Sequence, residues 1–281
     1  MIGGLIFAQN NSNINYVKLA VFAASRIHQY LKIPVSLVTD SQTWVLDNYP
    51  NHGFDKIIEL SHDEPIQYRH FYDGSLDSVA SEWKNLSRHQ VYDLSPYEYT
   101  LVIDSDYIIN SSVLSNAFNR PYELQIYKQS IDLAGWRTSP EFTRINQYSI
   151  PFYWATVFFF RKTPTMKAFF DLITYVKDNW QYFRILYNIE STLFRNDFAF
   201  SIVIHMMNGK TAGEFGTELP GKMSYCTDKD LLIKMSDDKM QLLLEKEGVI
   251  GEYTVAKTTG IDVHFMNKAS LIRCIDGANE C

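Results

Sequence analysis

Tyr99-Thr100-Leu101-Val102-Ile103-Asp104-Ser105-Asp106 is the stretch whose reading decides the fold. An apolar run of strand-forming residues stops abruptly at two carboxylates one residue apart. In an open α/β sheet, the carboxyl end of a buried strand is where ligands lie. Alternate residues of an extended chain point the same way, which aims Asp104 and Asp106 at one site and turns Ser105 away. Two neighbouring carboxylates repel each other and lose hydration unless positive charge neutralises them. A divalent cation with oxygen ligands does so, and bridging a diphosphate is its simplest use. The plainer alternative is a strand running into an exposed acidic turn, with Ser111 or Ser112 capping the next helix.

The surrounding chain has 281 residues, 46% hydrophobic, with a formal net charge of -6. That supports a sizeable core, as one large domain or two fused lobes. No basic block is present, so nucleic acid and anionic membranes are not expected partners. A small anion would need a local lysine or a metal. Cys226, Cys274 and Cys281 show no metal-ligand spacing, which fits a reduced, cytoplasmic setting. Ile2 to Ala8 is too short for a signal or a membrane span and reads as the first strand; no later segment reaches spanning length. The 18 Tyr and 18 Phe exceed what a core alone asks for and suit a groove that stacks sugars or a nucleobase.

Upstream of the acid pair, Leu5 to Ala8 runs into the polar loop Gln9-Asn10-Asn11-Ser12-Asn13. Tyr16 to Leu31 then carries Val17, Ala20, Val21, Ala24, Ile27 and Leu31 on one helical face. Pro34 to Asp40 forms the next strand, completing a β-α-β unit with a right-handed crossover. Asp40 and the loop after Ala8 end at the same sheet edge, where a nucleotide would lie; capping with Ser41 is an equal alternative for Asp40. Ile57 to Leu60 is a third strand, and Ser61 to Ser78 reads as a loop. Trp83 to Leu94 reads as a helix with Lys84 and Arg88 on one face, turned either to a phosphate or sugar or to solvent.

Downstream, Ser111 to Phe118 reads as a short helix and Tyr122 to Tyr127 as a strand. Asp132 to Ser149 reads as a flap containing Gly135, Trp136 and Arg137. Pro151 to Arg161 centres on a very apolar strand. From Thr165, Met166, Phe169, Phe170, Ile173, Val176 and Trp180 form a core-facing helical stripe. Asp197 opens the helix Phe198 to Met207, either as its N-cap or first-turn acid or as a catalytic carboxylate. Leu231 to Lys246 is a hairpin around Ser236–Lys239 or a helix, and Tyr253 to Lys257 is a further strand. In Gly260-Ile261-Asp262-Val263-His264-Phe265-Met266-Asn267-Lys268, a neutral imidazole can serve as a third metal ligand and the ammonium can pair with a phosphate.

Taken in order over residues 3 to 268, these features resemble the metal-dependent glycosyltransferases of the GT-A fold, within the nucleotide-diphospho-sugar transferases. The glycogenin-like and galactosyltransferase-like branch is the most similar. The resemblance implies a Rossmann-like α/β architecture: a mixed, mainly parallel central sheet flanked by helices, in a single compact domain of two fused lobes. Residues 1–270 would form that domain, with 1–110 the nucleotide-sugar-binding half, 111–270 the acceptor-side half and 271–281 a C-terminal tail. It implies that Asp104, Asp106 and His264 hold Mn²⁺ or Mg²⁺ against the diphosphate of a UDP-sugar. Lys268 would touch the phosphates. Ala8, Tyr16 and Asp40 would line the nucleoside pocket, and Lys84, Arg88 and Ser105 the rest of the donor. Thr156 and Asp197 would face the sugar and a hydroxyl acceptor on a glycan, lipid or protein. The implied reaction is retaining transfer of a hexosyl group. The chain departs from the family in placing Met266-Asn267 where a glycine precedes the lysine. Two rivals are a sugar-nucleotidyltransferase, which would carry a Gly-rich basic loop where Gln9–Asn13 stands, and a non-catalytic carbohydrate- or nucleotide-binding protein on the same scaffold.

Overall fold

A computed structural model describes residues 1–61, 67–137, 142–146 and 149–279. Its strands are β1 (Ile2–Phe7), β2 (Val35–Thr39), β3 (Lys56–Glu59), β4 (Gln67–Asp73), β5 (Asp77–Trp83), β6 (Tyr99–Asp104), β7 (Tyr107–Ile108), β8 (Leu124–Tyr127), β9 (Ser130–Asp132), β10 (Trp154–Arg161), β11 (Met223–Cys226), β12 (Leu231–Ser236), β13 (Lys239–Glu245), β14 (Tyr253–Thr259) and β15 (Val263–Phe265). Its helices are α1 (Tyr16–Leu31), α2 (Gln42–Asn48), α3 (Val91–Leu94), α4 (Pro164–Asp178), α5 (Trp180–Leu186), α6 (Asn196–Met207) and α7 (Lys268–Asn279).

The main sheet has the order β3-β2-β1-β6-β10-β8. Its first four strands are parallel, while β10 runs antiparallel to both neighbours. This is the mixed, mainly parallel sheet expected. Leu101, Val102 and Ile103 are fully buried at its centre, as the unbroken apolar run requires of a strand covered on both faces. Helix α1 starts where the Asn15 side chain accepts the Lys18 N–H at 2.9 Å and ends at Lys32 in the left-handed region. Its Val17, Ala20, Ala24 and Ile27 are buried against the sheet; a fully buried Val or Ile contributes about 1.5–3 kcal/mol.

Two apolar cores meet across α1. One surrounds the main sheet; the smaller gathers Leu19, Val263, Leu242, Leu271 and Ile275. Tyr16 packs against both, which makes one domain of two fused lobes. The second lobe holds a sheet of order β7-β15-β11-β9 and the antiparallel sheet β12-β13-β14. The hairpin reading of Leu231–Lys246 therefore holds, with Asp237 at its tip adopting a positive φ of 50°. Residues 271–279, set apart as a tail, continue α7, and Leu271 and Ile275 are buried; residues 280–281, including Cys281, lie outside the described part.

Several local expectations change. Most of the segment Ser61–Ser78 is not a loop: β4 and β5 pair along Gln67–Asp73 and Asp77–Trp83, turning at Gly74 with φ +82°. Alternation along β4 is present, but its outward face carries Tyr68 and Tyr72, so polarity did not reveal it. Residues 62–66 are outside the described part. Trp83–Leu94 is not one helix. Trp83 ends β5, a short 3₁₀ turn covers Arg88–Gln90, and α3 begins only at Val91. Lys84 and Arg88 therefore share no helix face. Ser111–Phe118 becomes a 3₁₀ helix over Val113–Asn119. The flap expectation fails at Arg137, whose guanidinium bridges buried Asp132 and Asp230 with bonds of 2.6–2.8 Å. Residues 138–141 and 147–148 of that segment are outside the described part. Among the described residues, no helix is long and apolar enough to cross a membrane.

Candidate active site

Strand β6 ends at Asp104, and Ser105-Asp106 form a turn into β7. Strand alternation therefore does not continue through the pair. Asp104, Ser105 and Asp106 all line one cleft, so the expectation that Ser105 faces away is corrected. The turn brings the carboxylates together where β-geometry was expected to.

Strand β7 then pairs antiparallel with β15, setting His264 opposite Tyr107 and Val263 opposite Ile108. The Phe265 N–H donates to the Asp106 carbonyl at 2.9 Å. This register returns His264 to the acid pair. Ligand atoms of Asp104, Asp106 and His264 lie within 4.8 Å of one another. His264 Nε2 is 3.5 Å from Asp106 Oδ1, and Lys268 Nζ is 2.7 Å from Asp106 Oδ2. Trp154 meets the imidazole edge-to-face at 6.1 Å.

Each acid also has a cation in place: Asp104 pairs with buried Arg88, and Asp106 with Lys268. Burial would raise the Asp106 carboxyl, but Lys268 and His264 outweigh it and hold it well below the usual carboxylate range. The same pairing raises the Lys268 ammonium against its own burial. Burial lowers the Arg88 guanidinium to about 10, against the pull of Asp197 and Asp106. Burial pushes the Tyr16 phenol up to about 12, so it stays neutral.

The remaining predicted residues fall as follows. Tyr16, Lys84, Arg88, Thr156, Asp197 and Lys268 line the cleft. Ala8 is buried beneath it, with Phe7 and Gln9 forming the lining at that point. Asp40 pairs with Lys84, which lines the cleft, at 3.5 Å, and accepts from Ser41 Oγ at 2.7 Å. It is not a cap: Ser41 holds the N-cap position of α2. Asp197 is likewise not the cap of α6, which is Arg195. Asp197 sits in the first turn, accepting the Ala155 N–H at 2.9 Å and pairing with Arg195 at 3.1 Å.

Sequence reasoning missed Arg69, His70, Trp83, Asn85, Arg195 and Asp228, all of which line the cleft. Arg69 and His70 lie on the segment taken for a loop, and Trp83, taken as the start of a helix, ends β5. Arg195 was passed over as a flank, although a basic residue beside Asp197 is visible in the sequence.

The donor set of two carboxylates and an imidazole suits Mn²⁺ or Mg²⁺. The His264 Nδ1 atom is buried without a hydrogen-bond partner among the described residues, and either ring nitrogen can act as a ligand. The residues present therefore fit a divalent cation.

No protein-family model matches the chain, and no curated protein matches it. Solved structures align with it at low identity. The apo glycosyltransferase GlyE of Streptococcus pneumoniae TIGR4 aligns over 78% of this chain at 11% identity and a TM-score of 0.43; the chain spans 45% of that protein's. The galactosyltransferase LgtC, solved with donor and acceptor sugar analogs, aligns over 71% of this chain and 69% of its own, at 13% identity and a TM-score of 0.43. A Bacillus anthracis protein described as a glucose-1-phosphate thymidylyltransferase aligns over 100% of this chain and 96% of its own, at 10% identity and a TM-score of 0.45. No residue's role follows from likenesses this distant.

Proposed function

We propose that this chain is a glycosyltransferase that moves a sugar from a nucleoside diphosphate sugar, taken to be a UDP-sugar, to a hydroxyl acceptor. The observation that carries the reading is the convergence of Asp104, Asp106 and His264 within 4.8 Å, beside Lys268. Three candidate ligands and a cation on one cleft wall are chemistry for a diphosphate. Residues 1–110 supply the nucleotide-sugar side and 111–270 the acceptor side.

A divalent cation held by Asp104, Asp106 and His264 would offset charge on the departing diphosphate. The rest falls to the protein. Lys268 exchanges Asp106 for a phosphate oxygen and Arg88 balances Asp104. Tyr16, neutral and flanked by both cores, offers its ring to the base. Asp197, fixed by Ala155 N–H and Arg195, accepts from a substrate hydroxyl. In a retaining course the acceptor's proton passes to the departing phosphate oxygen. The nucleotidyltransferase rival lacks its basic Gly-rich loop: Gln9–Asn13 stands there.

The test is a thermal-shift and hydrolysis screen over sugar nucleotides with Mn²⁺, in the wild type and Asp106→Ala. Stabilisation by a nucleoside diphosphate only when Mn²⁺ is present, with hydrolysis lost in the variant, is the expected result. No response to any nucleotide, or full activity in the variant, refutes the reading.

A further inference from the structure

Every other fixed cation lining the cleft has a carboxylate. Lys84 has Asp40 and Glu82, Arg88 has Asp104, Arg195 has Asp197, and Lys268 has Asp106. Among the described residues, Arg69 has no ion-pair partner. Its guanidinium carbon lies over the Trp83 ring, 3.4 Å from the centroid, across the β4–β5 hairpin. One terminal nitrogen, Nη2, is buried without a hydrogen-bond partner, as is Arg195 Nε.

A buried guanidinium nitrogen without a partner is costly unless an anion meets it. Burial first, and then the like charge of Arg195, lower Arg69 to about 9; Asp197 and Tyr16 oppose the change. Arg69, Arg195 and Asp197 thus leave one positive charge in excess on the Asp197 side of the cleft. Arg195 is itself held against Phe198, its guanidinium carbon 5.0 Å from the ring centre.

We propose that Arg69 and Arg195 form a subsite for an anionic substituent, a carboxylate or phosphate, on the transferred sugar or on the acceptor. The substrate of this chain is then an acidic sugar rather than a neutral one. The inference rests on the nucleotide-sugar reading above. A planar fork with a free N–H suits bidentate recognition of either oxyanion.

Calorimetry on the full chain with Mn²⁺ tests it in two arms. In the donor arm, UDP-glucuronate is compared with UDP-glucose. In the acceptor arm, with UDP present, glucuronate and glucose 1-phosphate are compared with glucose. One arm is expected to favour the anionic ligand by roughly tenfold or more, and that arm identifies the source of the charge. Arg69→Gln should bring the ratio close to one, and Arg69→Lys, which keeps the charge but not the fork, should preserve part of it. Equal affinities in both arms overturn the inference while UDP binding upholds the donor reading. A loss of UDP affinity in Arg69→Gln equal to the loss for the anionic sugar also overturns it, since the guanidinium then serves the diphosphate. Absence of UDP binding in the wild type overturns the donor reading and this inference with it.

Discussion

Replacing Lys268 by Met removes a charge but keeps most of the side-chain length, and its effect can be worked from the site. Asp106 is 5% exposed, and its carboxylate has two nitrogen contacts, the Lys268 ammonium at 2.7 Å and the His264 imidazole at 3.5 Å. Breaking a buried pair by removing one partner costs about 3–5 kcal/mol. His264 remains, which places the loss near the lower end, ~3 kcal/mol. At about 2.1 cal/mol/K per residue, 281 residues melt with an entropy near 0.6 kcal/mol/K, so Tm should fall by about 5 °C at pH 7. The sign with pH follows from the depressed carboxyl. Its stabilisation is fully present above the unfolded value of 3.8 and is lost as pH falls through the lower folded value. In Lys268→Met only His264 opposes burial, so the variant's deficit should shrink as the solution approaches pH 4. Calorimetry at pH 7, 5 and 4 measures this, and added Mn²⁺ should restore part of the deficit at pH 7. A loss under about 1 °C, or one independent of pH, would mean that packing rather than charge is what Lys268 contributes.

Gly3→Ala would place a Cβ 2.4 Å from the Tyr97 ring, whose hydroxyl bonds Ser36 Oγ at 2.7 Å. Overpacking of that kind costs about 1–3 kcal/mol, and an unchanged urea midpoint would refute the contact. Burial raises Asp262 to about 6. The folded chain then holds that proton more tightly, so stability should fall as pH rises from about 4 through 6, by up to ~3 kcal/mol. Asp262→Asn keeps an acceptor for the Asn110 N–H and should flatten that slope; a wild type already flat there contradicts the assignment. Asp197→Asn keeps an acceptor for the Ala155 N–H but frees Arg195. Sugar-nucleotide hydrolysis should drop at least roughly tenfold with little change in Tm, and undiminished hydrolysis removes Asp197 from the reaction.

The β1-α1-β2 unit and the β6 strand were legible because their signals are local: an unbroken apolar run, a helical stripe, a turn-rich loop. Helix α6 was found for the same reason. The hairpin β4–β5 was not, because its exposed face carries aromatic residues as its inner face does. Arg88 shows a different limit. Its spacing from Lys84 suggested a shared helix face, yet the chain between them is irregular and only burial against Asp104 gives Arg88 its place. Asp104 and Asp106 were read as acids in need of positive charge, and the fold sets Arg88 and Lys268 beside them as well as His264, a third candidate ligand. Such balance depends on side chains brought together from distant segments, and local patterns do not encode it. Arg69 was invisible for that reason as well: what sets it apart is the lack of an ion-pair partner among the described residues, a property of three dimensions.

The two-residue pairing of β7 with β15 has a consequence for how the protein comes to be folded. It joins positions about 160 residues apart, and closing so long a loop is slow relative to forming α1 or the β12–β13 hairpin. Asp106 therefore meets His264 and Lys268 only after both lobes have docked. A partly folded chain would present the two aspartates without their clasp. Nucleotide retention would consequently count completed molecules, and a nucleotide-bearing resin would separate them from misassembled ones of the same mass.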